Sequence, residues 1–334
     1  MHVNGRGPTA HAIAAVVYNP LKVDAARVRA AVHTAAERAG VRDVLWFETT
    51  VDDAGQALTR DALGQGATLV LAAGGDGTVR AVAEALRDRD AQLGILPSGT
   101  GNLLARNIGI PYGSLDVACA VAFEGDIRRI DLGLARVTTP DGSRREHAFL
   151  VMAGVGIDAA LIANTRPRLK RRVGWLAYVD AGFRALPKAQ KVRVGYALDG
   201  APRRTAQVST ILVANCGILP GNIELIPDAA VDDGLLDIAV LQPRSWFGWL
   251  LIWRKVAWEN RVLRRSALGR RIIRFTDRAI RTELTYLRGR SVQLTVERPE
   301  PYELDGDELG ELIGVELTVD AGGLAVRVPA RTRG

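Results

Sequence analysis

Apolar positions follow two different rhythms along this chain. Over the first 130 residues, short continuous apolar runs stand at 13–17, 44–47, 68–72 and 93–96, with helical spacing between them over about 23–39, 54–63 and 79–86. Strand, helix, strand, helix with tight joins predicts βαβ units, hence a doubly wound α/β domain whose parallel sheet is covered on both faces. From about residue 131 the rhythm changes. Strand-like segments follow at 147–153, 191–198, 207–215, 235–241, 272–276, 291–296 and 315–319, separated by turn residues with a few helices interspersed. That predicts a second, mainly antiparallel β domain of the sandwich type. No repeat or low-complexity linker intervenes, so close contact between the two domains is expected.

Composition narrows the class. A chain of 334 residues is long for one core, and 48% hydrophobic with 24% charged residues is globular rather than disordered. Two cysteines, Cys119 and Cys216, exclude a disulfide framework, and neither has metal-ligand spacing. The expected setting is reducing and cytoplasmic, with no signal peptide. The longest strongly apolar run, 246–253, falls well short of the ~20 residues of a bilayer crossing.

Charge is uneven. The net +7 conceals two basic stretches: 165–193 has nine Lys or Arg against one acid, and 244–281 has eleven against two. Such asymmetry suggests an anionic partner for the second half, or solvated basic faces with no partner at all.

Two glycine-rich turns carry the candidate chemistry. The third apolar run leads into Gly74, Gly75, Asp76, Gly77 and Thr78, then directly into helical spacing. Glycines let backbone N–H groups approach an anion, and the helix that follows adds its positive end. A carboxylate there repels bare phosphate, so Asp76 calls for a cation, a proton or a hydroxyl; by itself it reads equally well as a helix N-cap. The turn has no lysine and is not a Walker loop. A second turn, Ser98 to Asn102, follows the fourth run and offers hydroxyls, an amide and unhindered backbone. Two such turns at the carboxyl ends of neighbouring strands lie where open α/β sheets bind ligands.

At this point the chain resembles a known family. "GGDGTVRAVAEAL" followed by "LGILPSGTGNLLARNIGIP" is similar to the diacylglycerol kinase catalytic-domain family, in its bacterial lipid-kinase branch, a domain that sphingosine and ceramide kinases share. The likeness continues through "RRIDLG" (128–133), "MAGVGIDA" (152–159), "RRVGWLAYVDAGFRAL" (171–186), "ANCGILPGN", "VDDGLLD" and "ELDGDELG" (303–310). NAD kinases and phosphofructokinases resemble the first turn but not the second, nor "DDGLLD". The resemblance implies an ATP-binding domain over 9–130, rejoined by strands at about 315–330, and a β-sandwich substrate domain over 131–314. It implies ATP between them, lined by Asn19, Thr50, Gly74, Gly75, Asp76, Gly77, Thr78, Val79, Arg80, Gly99, Thr100 and Asn102. It further implies a Mg²⁺ ion held by the Asp233 side chain and the carbonyls of Ala230 and Leu235. Asp307 matches the family's proton acceptor, and Asp305 and Asp76 complete the catalytic set; the division of labour between Asp305 and Asp307 rests on the resemblance alone.

The chemistry is coherent with those roles. Phosphoryl transfer to an alcohol needs the γ-phosphate in line, its charge offset, and a base near the hydroxyl. In isolation "LDGD" and "DDGLLD" read as hairpin and strand-entry turns; their occurrence with both glycine turns favours the site. Three departures from the family stand out. "NPLKV" at 19–23 loses a small-residue cradle although Lys22 could still reach phosphate, Arg80 replaces a usual Asn, and Asp307 replaces a usual Glu. For the acceptor, "SWFGWLLIWRKVAWENRVLRR" gathers four tryptophans, three of them with Leu250 on one helical face, and trailing cations. Such a face is core or a membrane-interface anchor, and the resemblance favours the second. The expected activity is an ATP- and Mg²⁺-dependent lipid kinase, most simply converting diacylglycerol to phosphatidic acid. Kinases of a sphingoid base, phosphatidylglycerol or a small alcohol, and a non-catalytic nucleotide- or lipid-binding regulator, are the alternatives. The expected partners are a lipid substrate and an anionic membrane surface at the inner face, not nucleic acid; a homodimer suits the family.

Overall fold

The computed structural model describes residues 12–98, 101–156, 191–219, 223–224, 226, 229–242 and 284–330. Gly99 and Thr100, most of both basic stretches, the tryptophan-rich segment and the strand expected at 272–276 lie outside these.

The first half alternates as its apolar rhythm requires: β1 (Ile13–Tyr18), α1 (Ala25–Arg38), β2 (Asp43–Glu48), α2 (Gln56–Gly64), β3 (Ala67–Gly74), α3 (Asp76–Leu86), β4 (Gln92–Pro97), α4 (Leu103–Asn107) and α5 (Leu115–Glu124). The strands are parallel in the order β4-β3-β1-β2. Val16, Val17, Val70, Leu71 and Leu93 are fully buried, because helices pack as α1 with α5 and α2 with α3 over the sheet. This is why the strands read as unbroken apolar runs. Asp24 caps α1 through the Arg27 N–H, and Val28, Val32, Ala35 and Ala36 form its buried stripe. The chain order reverses between β1 and β3, the position where sheets of this type open a ligand crevice.

The second half is antiparallel: β5 (Asp126–Thr138), β6 (Arg144–Phe149), β7 (Met152–Val155), β8 (Val192–Leu198), β9 (Arg204–Val208), β10 (Thr210–Ala214), β11 (Ile218–Leu219), β12 (Ile223–Glu224), β13 (Leu236–Leu241), β14 (Leu284–Gly289), β15 (Ser291–Leu304) and β16 (Asp307–Val328). It buries a second core around Phe149, Val155, Ile211, Ile238, Leu294 and Leu317.

Two long strands cross the expected borders, β5 at 130/131 and β16 at about 314/315. On β5, Ile130, Leu132 and Leu134 belong to the first core, while Ala135 and Val137 belong to the second. Alongside it runs β16, antiparallel to β15 and β5, and its end at Ala325–Val326 lies parallel to β4. One continuous sheet therefore runs from β14 to β2 among the described residues.

The strands expected at 147–153 and 207–215 are each two strands. In the first, β6 pairs with β5 and β7 with β10 and β15, and the backbone at Leu150 and Val151 turns aside to a carboxylate described below. In the second, β9 pairs with β8 and β10 with β13, the break falling at Ser209.

Candidate active site

The crevice side of the parallel sheet is built from loops that brace themselves. After β1, the Asn19 N–H donates to Ala73 O on β3, its Oδ1 accepts from Leu21 N at 2.9 Å, and its carbonyl accepts from Lys22 and Val23. Thr50, after β2, closes its own turn by accepting from Asp53 N on Oγ1. Asn19 thus lies at the end of β1, beside the reversal point, and Thr50 one strand further out.

The first glycine turn is set by contact. A Cβ at Gly74 would stand 2.7 Å from Thr78 Oγ1, so glycine is required for Thr78 to fold back and be buried. Gly75 is the N-cap of α3, and no side chain caps that helix. The N-cap alternative for Asp76 therefore fails for α3. Instead its Oδ2 accepts from Asn102 N at 3.0 Å and its Oδ1 from Leu103 N at 2.6 Å. The carboxylate clips the second glycine turn to the first. Burial pushes its pKa above the usual carboxylate range, opposed by those two N–H groups. A Cβ at Gly101 would collide with Asp76 Oδ2, which accounts for the glycine there.

The distant acids arrive on the β15–β16 hairpin. Leu304 pairs with Asp307 across a two-residue turn in which Asp305 and Gly306 have φ of 52° and 86°. An Asp-Gly pair suits such a turn, as the hairpin reading expected. Yet Asp305 does more than turn: its buried carboxylate accepts from Leu150 N, Val151 N and Met152 N at 2.8–3.0 Å, and its N–H donates to Met152 O. This is what divides β6 from β7. Burial pushes its pKa up to about 6 against those N–H groups. With its oxygens so engaged, Asp305 is a positioning residue.

Asp307 is disposed differently. Its side chain is half exposed, Oδ2 lies 2.7 Å from Arg80 Nη2, and a Cβ at Gly77 would stand 2.9 Å from the same oxygen. The carboxylate therefore rests over the glycine turn of α3, 230 residues away in the chain, with capacity left to take a proton.

The acids at 303 and 84 escaped sequence reasoning. Glu303 is pushed up to about 7 by burial, then by Glu308, Asp305 and Asp307. Its only signal was the acid-rich run "ELDGDE". Glu84 Oε2 accepts the Ala148 N–H at 3.1 Å and so fixes β6 against α3.

The residues expected to hold Mg²⁺ lie in the loop that leads into β13. In the 231–235 loop, Asp233 Oδ1 accepts from Leu235 N, and its Oδ2 lies 3.8 Å from Arg288 Nη1. The same guanidinium forks onto Asp237 at 2.8 and 3.2 Å. Asp233 is the one carboxylate of the expected ligand set, and part of its charge already faces a guanidinium. Of the expected ligands, Asp233 alone has a charged partner beside it, Arg288.

Comparison with known proteins agrees with this architecture. Residues 14–135 match the diacylglycerol kinase catalytic domain, and 150–268 match the YegS C-terminal NAD kinase beta sandwich-like domain. A protein named "Probable lipid kinase YegS-like" from Pseudomonas aeruginosa (strain UCBPP-PA14) is 37% identical over 229 residues, 67% of this chain and 70% of that one. A protein named diacylglycerol kinase from Mycobacterium tuberculosis (strain CDC 1551 / Oshkosh) is 32% identical over 68% of this chain and 72% of its own. Solved structures from Bacillus anthracis str. Sterne, one described as a diacylglycerol kinase, share the fold with TM-scores of 0.73 and 0.64. Each is 18% identical and covers 95% of this chain and 97% of its own. With its two glycine turns clipped by Asp76 and an acidic hairpin laid over them, the chain belongs to the diacylglycerol kinase catalytic-domain family and is a kinase.

Proposed function

We propose that the protein transfers the γ-phosphoryl group of MgATP to the hydroxyl of a membrane lipid, with diacylglycerol as acceptor and phosphatidic acid as product. The observation that carries this reading is the seat of Asp307 over Gly77. There, among the described residues, a carboxylate with one oxygen left to take a proton meets a turn suited to phosphate. The glycine turns receive the triphosphate on backbone N–H groups at the start of α3. Asp307 takes the proton as the acceptor oxygen attacks phosphorus, and the bridging oxygen leaves with ADP. Asp76 keeps the two turns in register.

The lipid acceptor is supported by the names of the two relatives and by the basic, tryptophan-bearing second half, suited to an anionic membrane surface. No helix among the described residues is long and apolar enough to cross a membrane.

The test is ATP consumption with vesicles offering diacylglycerol, a sphingoid base or phosphatidylglycerol in separate reactions. Mg²⁺-dependent turnover is expected with diacylglycerol, and loss of at least a hundredfold in Asp307→Ala and Asp76→Ala proteins that retain the native circular dichroism. Undiminished turnover in both variants sinks the assignment; turnover only with another acceptor replaces the substrate and keeps the site.

A further inference from the structure

Around Arg80 the structure leaves hydrogen-bonding capacity unused where it is most costly. The Arg80 side chain is 13% exposed, and Nη2 donates to Asp307. Its Nε is buried and has no partner. Two further buried polar atoms lack partners: His147 Nε2 on β6, which packs against α3, and Tyr302 Oη on β15 of the hairpin. Both residues, and Asp305, feel the Arg80 charge. A buried donor left unmade costs roughly 1–3 kcal/mol, so folded proteins rarely keep such atoms together without use.

The arrangement has a direction. Nε–H and Nη2–H of arginine form a rigid fork whose two donors point to one side and match an oxyanion. Here one tooth holds Asp307 and the other is open. Gly77, one turn before Arg80 on α3, is where Asp307 rests, so the open tooth lies beside the turn suited to phosphate. An asparagine, the residue usual at this position in the related motif, brings no charge to either side.

Resting on the kinase reading above, we propose that Arg80 bridges base and phosphoryl group: Nη2 holds Asp307 while Nε–H takes an oxygen of the γ-phosphate of bound ATP. In the transfer, the acceptor hydroxyl oxygen bonds to γ-phosphorus, the bond to the β-bridging oxygen breaks with its electron pair going to ADP, and the proton passes to Asp307. Arg80 stays a guanidinium throughout and offsets charge on both sides of the step.

Calorimetric titration of ATP and of ADP into the wild type, Arg80→Asn and Arg80→Lys tests this. ATP affinity is expected to fall about tenfold or more in Arg80→Asn while ADP affinity changes less than about threefold, since only ATP carries the γ-phosphate. Arg80→Lys keeps the charge but lacks the fork; it disturbs the fold least and should show the same asymmetry, smaller. Its kcat should recover part of the loss seen with asparagine. Equal losses for ATP and ADP, or none, in both variants overturn the bridging role and leave the kinase reading intact. A wild type that turns over no acceptor and binds neither nucleotide ends the kinase reading, and the inference with it.

Discussion

A methyl group added at Gly77 would stand 2.9 Å from Asp307 Oδ2, closer than carbon and oxygen settle. The helix itself has no objection, because alanine is up to about 1 kcal/mol better than glycine in a helix. Gly77→Ala should therefore keep or slightly raise the melting temperature while lowering kcat about tenfold or more, measured by calorimetry and steady-state kinetics on one preparation. A parallel loss of both would mean that the glycine serves folding. Glu303 offers a second separation, through pH. Its pKa is raised from 4.5 to about 7 in the folded chain by burial and by Glu308, Asp305 and Asp307. A carboxyl raised on folding contributes stability while protonated, fully below about pH 4, and loses it as pH rises through about 7. Glu303→Gln, permanently neutral, should melt higher than the wild type at pH 8, by up to about 3 kcal/mol, and the gap should close by pH 4. At this scale the glycines, Asp76 and the hairpin acids were legible, because each sits in a short motif. The partner of Arg80 was not: it lies 227 residues away, and no local pattern records such a contact.

The hairpin of β15 and β16 divides one acidic motif into two jobs. Asp305 is satisfied by three backbone N–H groups and holds the β6–β7 break, whereas Asp307 points to the crevice. Asp305→Ala strands three N–H groups, two of them of buried residues, at roughly 1–3 kcal/mol each, and should destabilise the protein by about 3 kcal/mol or more in urea unfolding. Asp307→Ala should abolish turnover and, because it unpairs Nη2 of the largely buried Arg80, cost about 1 kcal/mol, well short of the loss in Asp305→Ala. Equal destabilisation by the two would refute this division. Elements follow the same rule of legibility. The parallel strands and α1 to α3 appear near their expected bounds, since burial on both faces and one-sided burial leave distinct periods. Missed altogether was α5: its "LDVACAVAFE" is apolar nearly all round and lacks a polar face to mark the turn. The β6–β7 break had no local signal because its cause, Asp305, is supplied from another part of the chain.

Across the whole molecule the two cores are joined by shared strands and by buried acids that fasten loops between them. Asp131 on β5 accepts from Gly234 N at 2.7 Å and Gly322 N at 2.8 Å, and its own N–H donates to Val231 O. It ties the 231–235 loop to the register break of β16. Beside it, Arg288 spans Asp237 and Asp233. Asp237 is buried, so its charge needs this partner, although Arg288 is 37% exposed and water screens the pair below the cost of losing a fully buried one. In this geometry the guanidinium does for the loop what a bound dication would do. The nucleotide-free wild type should therefore melt at the same temperature in EDTA as in excess Mg²⁺. Arg288→Met should melt lower by several degrees, and only in that variant, with Asp233 and Asp237 left facing each other, should Mg²⁺ restore part of the loss. A wild type that EDTA destabilises would return the ion to Asp233 and reduce Arg288 to its bond with Asp237.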